Sequence, residues 1–336
     1  MAKTLLGIDI GCESVKLALV SGRRVKKTAI IPMPVNLIKE GRIVSPDTMG
    51  ELLRNSVKEN GLKNRLAAVA FANEAVFIRN VTMPQMNEEQ LKTNLPYEFR
   101  DYISDELKNY VFDFAMISGE AAKSDAEAVG EDADTSMNLL AVAAPITLLD
   151  ETREYLRKAG MVLHIAAPSV CSFINIIRSL RAEEASKEYC ILDLGYRAIR
   201  MYMFRGDAHI VTRLLEVGLD SLDNVIAEQF NVDVHLAHTY LVTNYEDCQN
   251  GEYCTNAYNN IAVELLRAIN FYRFSNPDSA LSDVYLCGGG SAIGALSSTI
   301  ENQLDMNVHH AYELIEGGES IENCDSLVQA IGIAIN

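Results

Sequence analysis

Apolar and polar residues alternate along two segments of the chain that share one pattern. Residues 9–22 follow the apolar run 5–8, and residues 193–206 follow the apolar run 190–192. Each segment has Asp, an apolar residue and Gly, then three variable residues and an alternating strand that ends at Gly, and the offset between the copies is constant. This pattern predicts a β-hairpin that is duplicated, with one copy in each half of the chain.

The Asp-x-Gly element of each copy is a candidate phosphate loop. Gly11 and Gly195 allow the backbone to turn tightly and bring N–H groups close to an anion. Asp9 and Asp193 would place carboxylates where a phosphate-bound Mg²⁺ can be reached through water. One Asp-x-Gly is a weak signal, but two in matching strand context predict a nucleotide held in a cleft between two lobes.

The segments between the hairpins carry helix signals and further strands. Ser45 is the expected N-cap of a helix at residues 46–60 that Gly61 ends, and Asn87 with Gln90 predicts a capping box that opens a helix toward Tyr102. Further strands are predicted at residues 65–71, 74–81, 110–117, 139–144 and 162–166, and further helices at 147–159, 169–180, 221–229, 234–242, 255–273 and 326–335. Residues 118–137 are acidic and rich in Ala, which predicts a flexible loop.

A run of three glycines follows a predicted strand in the second half of the chain. The strand at residues 284–287 continues into Gly288, Gly289 and Gly290, and Ser291 then begins a predicted helix. A plain turn would need one glycine, whereas three let a helix N-terminus face an anion or a flat ring without obstruction by side chains. The run therefore favours approach of a ligand.

Composition and charge limit the class of protein. A chain of 336 residues that is 49% hydrophobic is expected to form more than one core. We expect a cytoplasmic protein, since no apolar stretch is long enough for a membrane span and the first strand leaves no room for a signal peptide. The net charge of -17 argues against nucleic-acid binding and against binding to an anionic bilayer by charge alone. Direct insertion into a membrane is not expected either. The spacing of Cys248 and Cys254 fits no zinc motif.

The ordered set of motifs resembles the actin-like ATPase superfamily, and within it the PilM-type proteins of type IV pilus assembly. Residues 7–16, the second Asp-x-Gly and the Gly288–Gly290 turn resemble its two phosphate loops and its adenosine loop. More specific similarities are residues 83–91 with 96–103, residues 141–160, Phe271-Tyr272-Arg273, and the ending 329–334. The resemblance covers nearly the whole chain, and the subdomain that begins near Met83 is similar to one in FtsA-type division proteins.

The resemblance implies an α/β protein with the actin-like ATPase fold, in which two duplicated ribonuclease H-like lobes carry a small inserted α+β subdomain. The expected first lobe is 1–81 with 145–185 and 318–336, the inserted subdomain is 82–144, and the second lobe is 186–317, with a helical subdomain at about 219–275. The implied function is that of an ATP-binding adaptor at the inner membrane. Its implied partner is the cytoplasmic N-terminal tail of a bitopic inner-membrane pilus protein, and self-association is a further possibility.

The resemblance and the loops together define the candidate ligand site. The metal candidates are Asp9 and Asp193, which would hold Mg²⁺. The candidates for ATP contacts are Asp9, Gly11, Cys12, Glu13, Ser14, Lys16, Asp193, Gly195, Tyr196, Arg197, Gly218, Gly288, Gly289, Gly290 and Ser291. No catalytic residue is assigned, because residues 166–169 offer no carboxylate to polarise water where actin-like hydrolases usually have an acid or an amide.

Other departures from the superfamily pattern also favour binding without efficient turnover. In the superfamily a hydroxyl residue often follows the glycine of the second loop, whereas this chain has the run Tyr196, Arg197 and Ala198 there. His238 lies on the helix that usually supplies Glu and Lys to the ribose and base. A sugar or acetate kinase, an FtsA-like division or filament protein, and a chaperone-like activator of a microcompartment enzyme share parts of this pattern and remain alternatives.

Overall fold

Each half of the chain builds its hairpin into a larger sheet. In a computed structural model, the described residues are 3–39, 41–117, 136–180 and 187–336. Most of the loop predicted at residues 118–137 lies outside them. The strands are β1 (Thr4–Ile10), β2 (Ser14–Ser21), β3 (Arg24–Pro32), β4 (Ile38–Lys39), β5 (Arg42–Ile43), β6 (Leu66–Phe71), β7 (Phe77–Pro84), β8 (Tyr110–Met116), β9 (Ser136–Pro145), β10 (Val162–Pro168), β11 (Glu188–Leu194), β12 (Ile199–Arg205), β13 (Ala208–Leu215), β14 (Asp283–Cys287) and β15 (Asn307–His310).

The helices fill the connections between these strands. They are α1 (Pro46–Glu59), α2 (Glu88–Asn94), α3 (Ile146–Lys158), α4 (Ser169–Ser179), α5 (Asp220–Phe230), α6 (Val234–Thr243), α7 (Glu252–Ser275), α8 (Gly294–Gln303) and α9 (Cys324–Ala334). Within the part of the chain that the structure describes, no helix combines the length and apolarity that a membrane span requires.

Two five-stranded sheets have the same strand order. The first is β3-β2-β1-β6-β10 and the second is β13-β12-β11-β14-β15. In the first, β1 is antiparallel to β2 and parallel to β6, and in the second, β11 is parallel to β14. The two Asp-x-Gly strands, β1 and β11, therefore occupy the same central position, which confirms the duplication predicted from the sequence.

The chain separates into two units around these sheets. The first comprises Met1–Ser186, Arg205–Ile210 and Gln329–Asn336, and the second comprises Lys187–Phe204 and Val211–Val328. In the first unit, α1 and α3 pack against each other. As predicted, Ser45 caps α1, because its hydroxyl accepts a hydrogen bond from the Thr48 N–H at 3.2 Å, and Pro46 occupies the first turn.

The first unit also holds a three-stranded antiparallel sheet with the order β7-β9-β8, which overlaps the segment 82–144 and is called the small subdomain here. Successive side chains of β9 point to opposite faces. Leu139, Ala141 and Ala143 pack with Phe99 and Ile103 in the subdomain's own core. Val142 and Ala144 instead pack against the core of the first sheet and its helices. One strand thus contributes to two hydrophobic cores.

The aromatic residues of this subdomain divide between its core and its surface. Phe99 is fully buried, and Tyr110, Phe112 and Phe114 are half-buried on one face of β8. Tyr97 and Tyr102 are exposed. The Arg100 guanidinium lies 5.2 Å from the centre of the Tyr97 ring and the Arg79 guanidinium lies 3.9 Å from that of Tyr102. Most of these aromatic residues are therefore structural.

Several predicted boundaries differ from the structure. The capping box of Asn87 and Gln90 is present, but α2 ends at Asn94 rather than continuing toward Tyr102. Pro96 has no N–H for an α-helical bond, and a 3₁₀ turn at Leu95–Phe99 replaces the helix. The strand expected from residue 74 begins at Phe77, because residues Asn73–Ala75 form another 3₁₀ turn. The short edge strand β15 was not predicted.

Candidate functional site

The first phosphate loop lies between β1 and β2 in the first unit. Asp9 is close to the carboxyl end of β1, where the register places it beside Lys16 of β2 and Ala70 of β6. The Lys16 ammonium is 3.7 Å from the Asp9 carboxylate, and both side chains are largely buried. The Gly11 N–H donates to the Ser14 carbonyl at 3.0 Å and closes the turn. The loop thus presents a carboxylate with a neighbouring cation.

The second loop repeats this arrangement in the second unit. Asp193, only 7% exposed, lies at the end of β11. The Arg200 guanidinium is 3.9 Å from its carboxylate. Arg200 is absent from the candidates drawn from the sequence, yet it follows Asp193 at the same spacing at which Lys16 follows Asp9. Extending the comparison of the two copies along the second strand of each hairpin would have identified it.

The three consecutive glycines serve three different purposes. Gly288 has a φ of +84°, and a Cβ there would lie 2.5 Å from the Asp193 carboxylate. At Gly290 a Cβ would lie 2.8 Å from the Leu194 side chain, so this glycine is needed for packing. A Cβ at Gly289 would meet no atom of the described residues within 4 Å. Only Gly289 therefore leaves open space for a ligand to approach the backbone.

The helix after the glycine run starts later than the sequence predicted. A 3₁₀ turn at Gly289–Ala292 separates the glycines from α8, which begins at Gly294. Ser291 is buried, and its hydroxyl donates to the Gly288 carbonyl at 2.6 Å. This hydrogen bond stabilises the turn itself.

Asp325, a half-buried acid at the N-terminal end of α9, supports the same turn. The Gly288 N–H donates to the Asp325 backbone carbonyl at 3.0 Å. The Asp325 carboxylate accepts a hydrogen bond from the Tyr312 N–H at 2.8 Å and lies 2.7 Å from His310 Nδ1. Burial raises the pKa of the Asp325 carboxyl above its usual value, although these two contacts act in the opposite direction. The glycine turn is thus anchored before any ligand is present.

The other candidates differ in how they could reach a ligand. Cys12 is half-buried, whereas Glu13 and Arg197 are exposed. Tyr196 is partly buried, and its hydroxyl donates to Asp223 at 2.7 Å. Gly218 packs directly on the second loop, since a Cβ there would lie 2.2 Å from the Tyr196 carbonyl oxygen. Gly218 and Tyr196 therefore contribute to the shape of the loop.

In the first sheet, no residue in register with Asp9 on the other strands is acidic. Ala167 of β10 and Ala70 of β6 are paired in register with each other, and Ala70 pairs with Asp9. An amide is present near the start of α4, where it was not predicted. The Asn73 side-chain oxygen accepts hydrogen bonds from the Ser169 hydroxyl and the Val170 N–H, both at 3.3 Å. Asn73 thus caps α4.

Each loop, taken within its own unit, offers features that suit a phosphate group carrying Mg²⁺. Asp9 and Asp193 each have a cationic neighbour, and Gly289 gives access to the backbone. Among the described residues no group of three or more His, Cys, Asp or Glu could chelate a metal ion. A magnesium ion carried by phosphates does not need such a cluster, because Mg²⁺ keeps several waters and takes only one or two carboxylates.

Comparison with known proteins agrees with this architecture. The family model described as type IV pilus assembly protein PilM matches residues 7–325. A solved structure, the PilM-PilN type IV pilus biogenesis complex, contains a similar chain, with a TM-score of 0.80, 24% identity, and coverage of 100% of this chain and 98% of that chain. The ethanolamine utilization protein EutJ from Carboxydothermus hydrogenoformans gives a TM-score of 0.60 at 14% identity, covering 100% of this chain and 90% of EutJ. The predicted actin-like ATPase fold is confirmed.

Proposed function

Since the chain belongs to the type IV pilus assembly protein PilM family, we propose that it is an adaptor that binds Mg·ATP and docks the cytoplasmic N-terminal tail of a bitopic inner-membrane protein. The solved relative is a complex with PilN, and a PilN-like protein is the partner that we propose here. The protein would then act in the cytoplasm, at the inner face of the membrane, without inserting into it.

The duplicated loops carry the ATP part of this proposal. Lys16 and Arg200 compensate the charge of Asp9 and Asp193 before a ligand binds. A phosphate chain with its Mg²⁺ would give both the carboxylates and the cations new partners of opposite charge. We assign little or no hydrolysis to the site. The residues of β6 and β10 in register with Asp9 are alanines, which cannot polarise a water, and Asn73 is engaged in capping α4. ATP would stabilise the partner-competent fold by mass action.

Replacing Asp9 by alanine should remove this stabilisation. In the wild type, Mg·ATP at about 100 times its dissociation constant should add about 2.7 kcal/mol to the free energy of unfolding. In Asp9→Ala the ligand-induced rise in melting temperature should disappear, while Glu51→Ala, an exposed acid of α1, should keep it. A wild-type melting temperature that saturating Mg·ATP leaves unchanged would refute nucleotide binding. Phosphate release above a buffer blank would refute the absence of turnover.

The outer edge of β8 carries the docking part of the proposal. Among the strands that the structure describes, only β9 pairs with β8. The Ile117 N–H donates to the Asn138 carbonyl of the β9 side at 3.0 Å. Because hydrogen bonds alternate along an antiparallel ladder, the N–H and C=O groups of Met116, Phe114 and Phe112 point away from β9. The Phe114 N–H now donates to the Asp113 carboxylate at 2.9 Å. An extended peptide that paired with this edge would replace that bond.

The surroundings of this edge fit a tail with apolar and basic residues. Val111 is 45% exposed, and it lies on the same face of β8 as Asp113, which is also exposed. Arg178 of α4 donates to the Met116 carbonyl at 3.1 Å, so the first unit's helix borders the end of the edge. Burial raises the pKa of Cys171, also on α4, to about 11, so its thiol is a neutral group there. Cytoplasmic segments beside membrane spans are rich in Lys and Arg.

Two variants of β8 should weaken capture of the tail. Asp113→Lys reverses the charge at the edge, and Met116→Pro removes an outward N–H that a peptide strand would use. Each variant should reduce the affinity about tenfold. The dissociation constant expected for the wild type is micromolar, which corresponds to a binding free energy on the order of −8 kcal/mol. The measurement is titration of a labelled tail peptide from the bitopic protein encoded beside this chain. Asp101→Lys makes the same charge change at another exposed position of the subdomain and should bind as the wild type does. Unaltered binding by both β8 variants would place the tail elsewhere.

A further inference from the structure

The side chain of Tyr196 reaches from the second loop to a carboxylate that solvent does not contact. The Tyr196 hydroxyl donates to Asp223 Oδ2 at 2.7 Å, and Asp223 has 0% exposure. His238 Nδ1 lies 3.0 Å from the same oxygen and 3.3 Å from Oδ1. A buried carboxylate is tolerated only when polar partners replace its water, and these two side chains supply them.

This network joins three segments of the second unit. Tyr196 is in the loop after β11, Asp223 is in the first turns of α5, and His238 is on α6. The Tyr196 and His238 rings also contact each other edge to face, with centroids 5.1 Å apart. The hydrogen bonds and the ring contact therefore hold the loop against both helices.

Backbone hydrogen bonds attach the same loop to the start of α5. The Leu219 N–H donates to the Gly195 carbonyl at 3.3 Å, and the Asp220 N–H donates to the Tyr196 carbonyl at 2.9 Å. These two bonds, the Tyr196–Asp223 bond and the absence of a Cβ at Gly218 determine where the carbonyls of the loop point. Neither amide can keep its bond if the loop moves away from α5.

We propose that Asp223 is a positioning residue for the second phosphate loop, which it fixes through Tyr196 in the conformation that receives the phosphates. This inference rests on the ATP binding proposed above. The single O–H proton of Tyr196 is given to Asp223 and is not available to a phosphate. Tyr196 thus acts through its bond to Asp223, whereas contacts from the loop to the nucleotide come from backbone N–H groups and Arg197. A loop fixed in advance loses less conformational freedom on binding.

Tyr196→Phe tests the proposal because it removes the hydroxyl and keeps the ring against His238. Hydrogen exchange of the ligand-free full-length protein should show the Leu219 and Asp220 amides exchanging about tenfold faster, which corresponds to about 1.4 kcal/mol. Exchange along α7 should be unchanged, whereas a general loss of stability would accelerate both. The affinity for Mg·ATP should fall by a similar factor.

His235→Gln is the matched control, since His235 is exposed on the same helix as His238. It should alter neither exchange nor affinity.

If Tyr196→Phe does not fold, Asp223→Asn replaces it, and the same amides are followed. Unchanged exchange at Leu219 and Asp220 overturns the positioning role, whether or not ATP binds. Faster exchange with weaker binding supports it. A wild type that does not bind Mg·ATP refutes the proposed function, and with it the role of Asp223 in receiving phosphates.

Discussion

Replacing Gly7 by alanine should lower the free energy of unfolding by at least about 3 kcal/mol, the upper part of the range for overpacked cores. Gly7 lies in the middle of β1, and a Cβ there would be 1.8 Å from the Ala330 carbonyl oxygen of α9 and 3.0 Å from the Ala334 Cβ. The oxygen belongs to the backbone of a helix and cannot rotate away. The strand or the helix must therefore shift, and both carry fully buried side chains.

Thermal melting measures this effect. With an unfolding entropy of about 2.1 cal/mol/K per residue, a loss of that magnitude lowers the melting temperature of a chain of 336 residues by about 4 °C. Gly294→Ala is the matched control, because a Cβ there would meet no atom of the described residues within 4 Å and the position opens α8. Its melting temperature should equal or exceed that of the wild type. Equal melting of Gly7→Ala and the wild type would show that the helix does not pack this closely on β1.

Gly218→Ala should displace the second loop and weaken Mg·ATP binding at least tenfold. Its Cβ would lie 2.2 Å from the Tyr196 carbonyl oxygen, 2.5 Å from the Arg197 carbonyl carbon and 2.7 Å from the Ala198 nitrogen. All three atoms are backbone atoms, so the loop as a whole must move. We expect about 2 kcal/mol of lost stability as well, which is typical of forcing an extra methyl group into a packed site.

A double-mutant cycle with Tyr196→Phe extends this prediction. Residues that share a structural element show non-additive effects. Once Gly218→Ala has displaced the loop, removing the Tyr196 hydroxyl should cost little further affinity for Mg·ATP. Calorimetric titration of the wild type, both single variants and the double variant measures the coupling. Fully additive losses would mean that Gly218 and Tyr196 act on different parts of the site.

The sequence predicts those features that depend on short-range pattern. The N-caps Ser45 and Asn87 bond to N–H groups only three residues away, so a local motif is sufficient. The duplicated hairpin can also be predicted from the sequence, because the alternation of apolar and polar residues and the Asp-x-Gly element lie within one contiguous segment. These signals recover the central strands of both sheets and the actin-like ATPase fold.

Features that depend on tertiary packing were not predicted. The bond between Tyr196 and Asp223 links residues on different elements, and the sequence does not indicate that they meet. Similarly, a run of three glycines does not reveal that Gly290 is small because Leu194 and Leu219 lie beside it. The four residues of β15 form a strand by pairing with β14 and carry too little pattern of their own.

Because β9 contributes side chains to two cores, the folding of the small subdomain is coupled to that of the first sheet. Leu139, Ala141 and Ala143 face one core, and Val142 and Ala144 face another. A deletion that removes β9 would expose both cores to solvent. The subdomain therefore cannot be deleted, or transferred to a related protein, without disrupting the first sheet. Its melting should coincide with that of the first sheet. Over evolution, substitutions along β9 must satisfy two sets of neighbours, whereas the outer edge of β8 meets no second strand among the described residues.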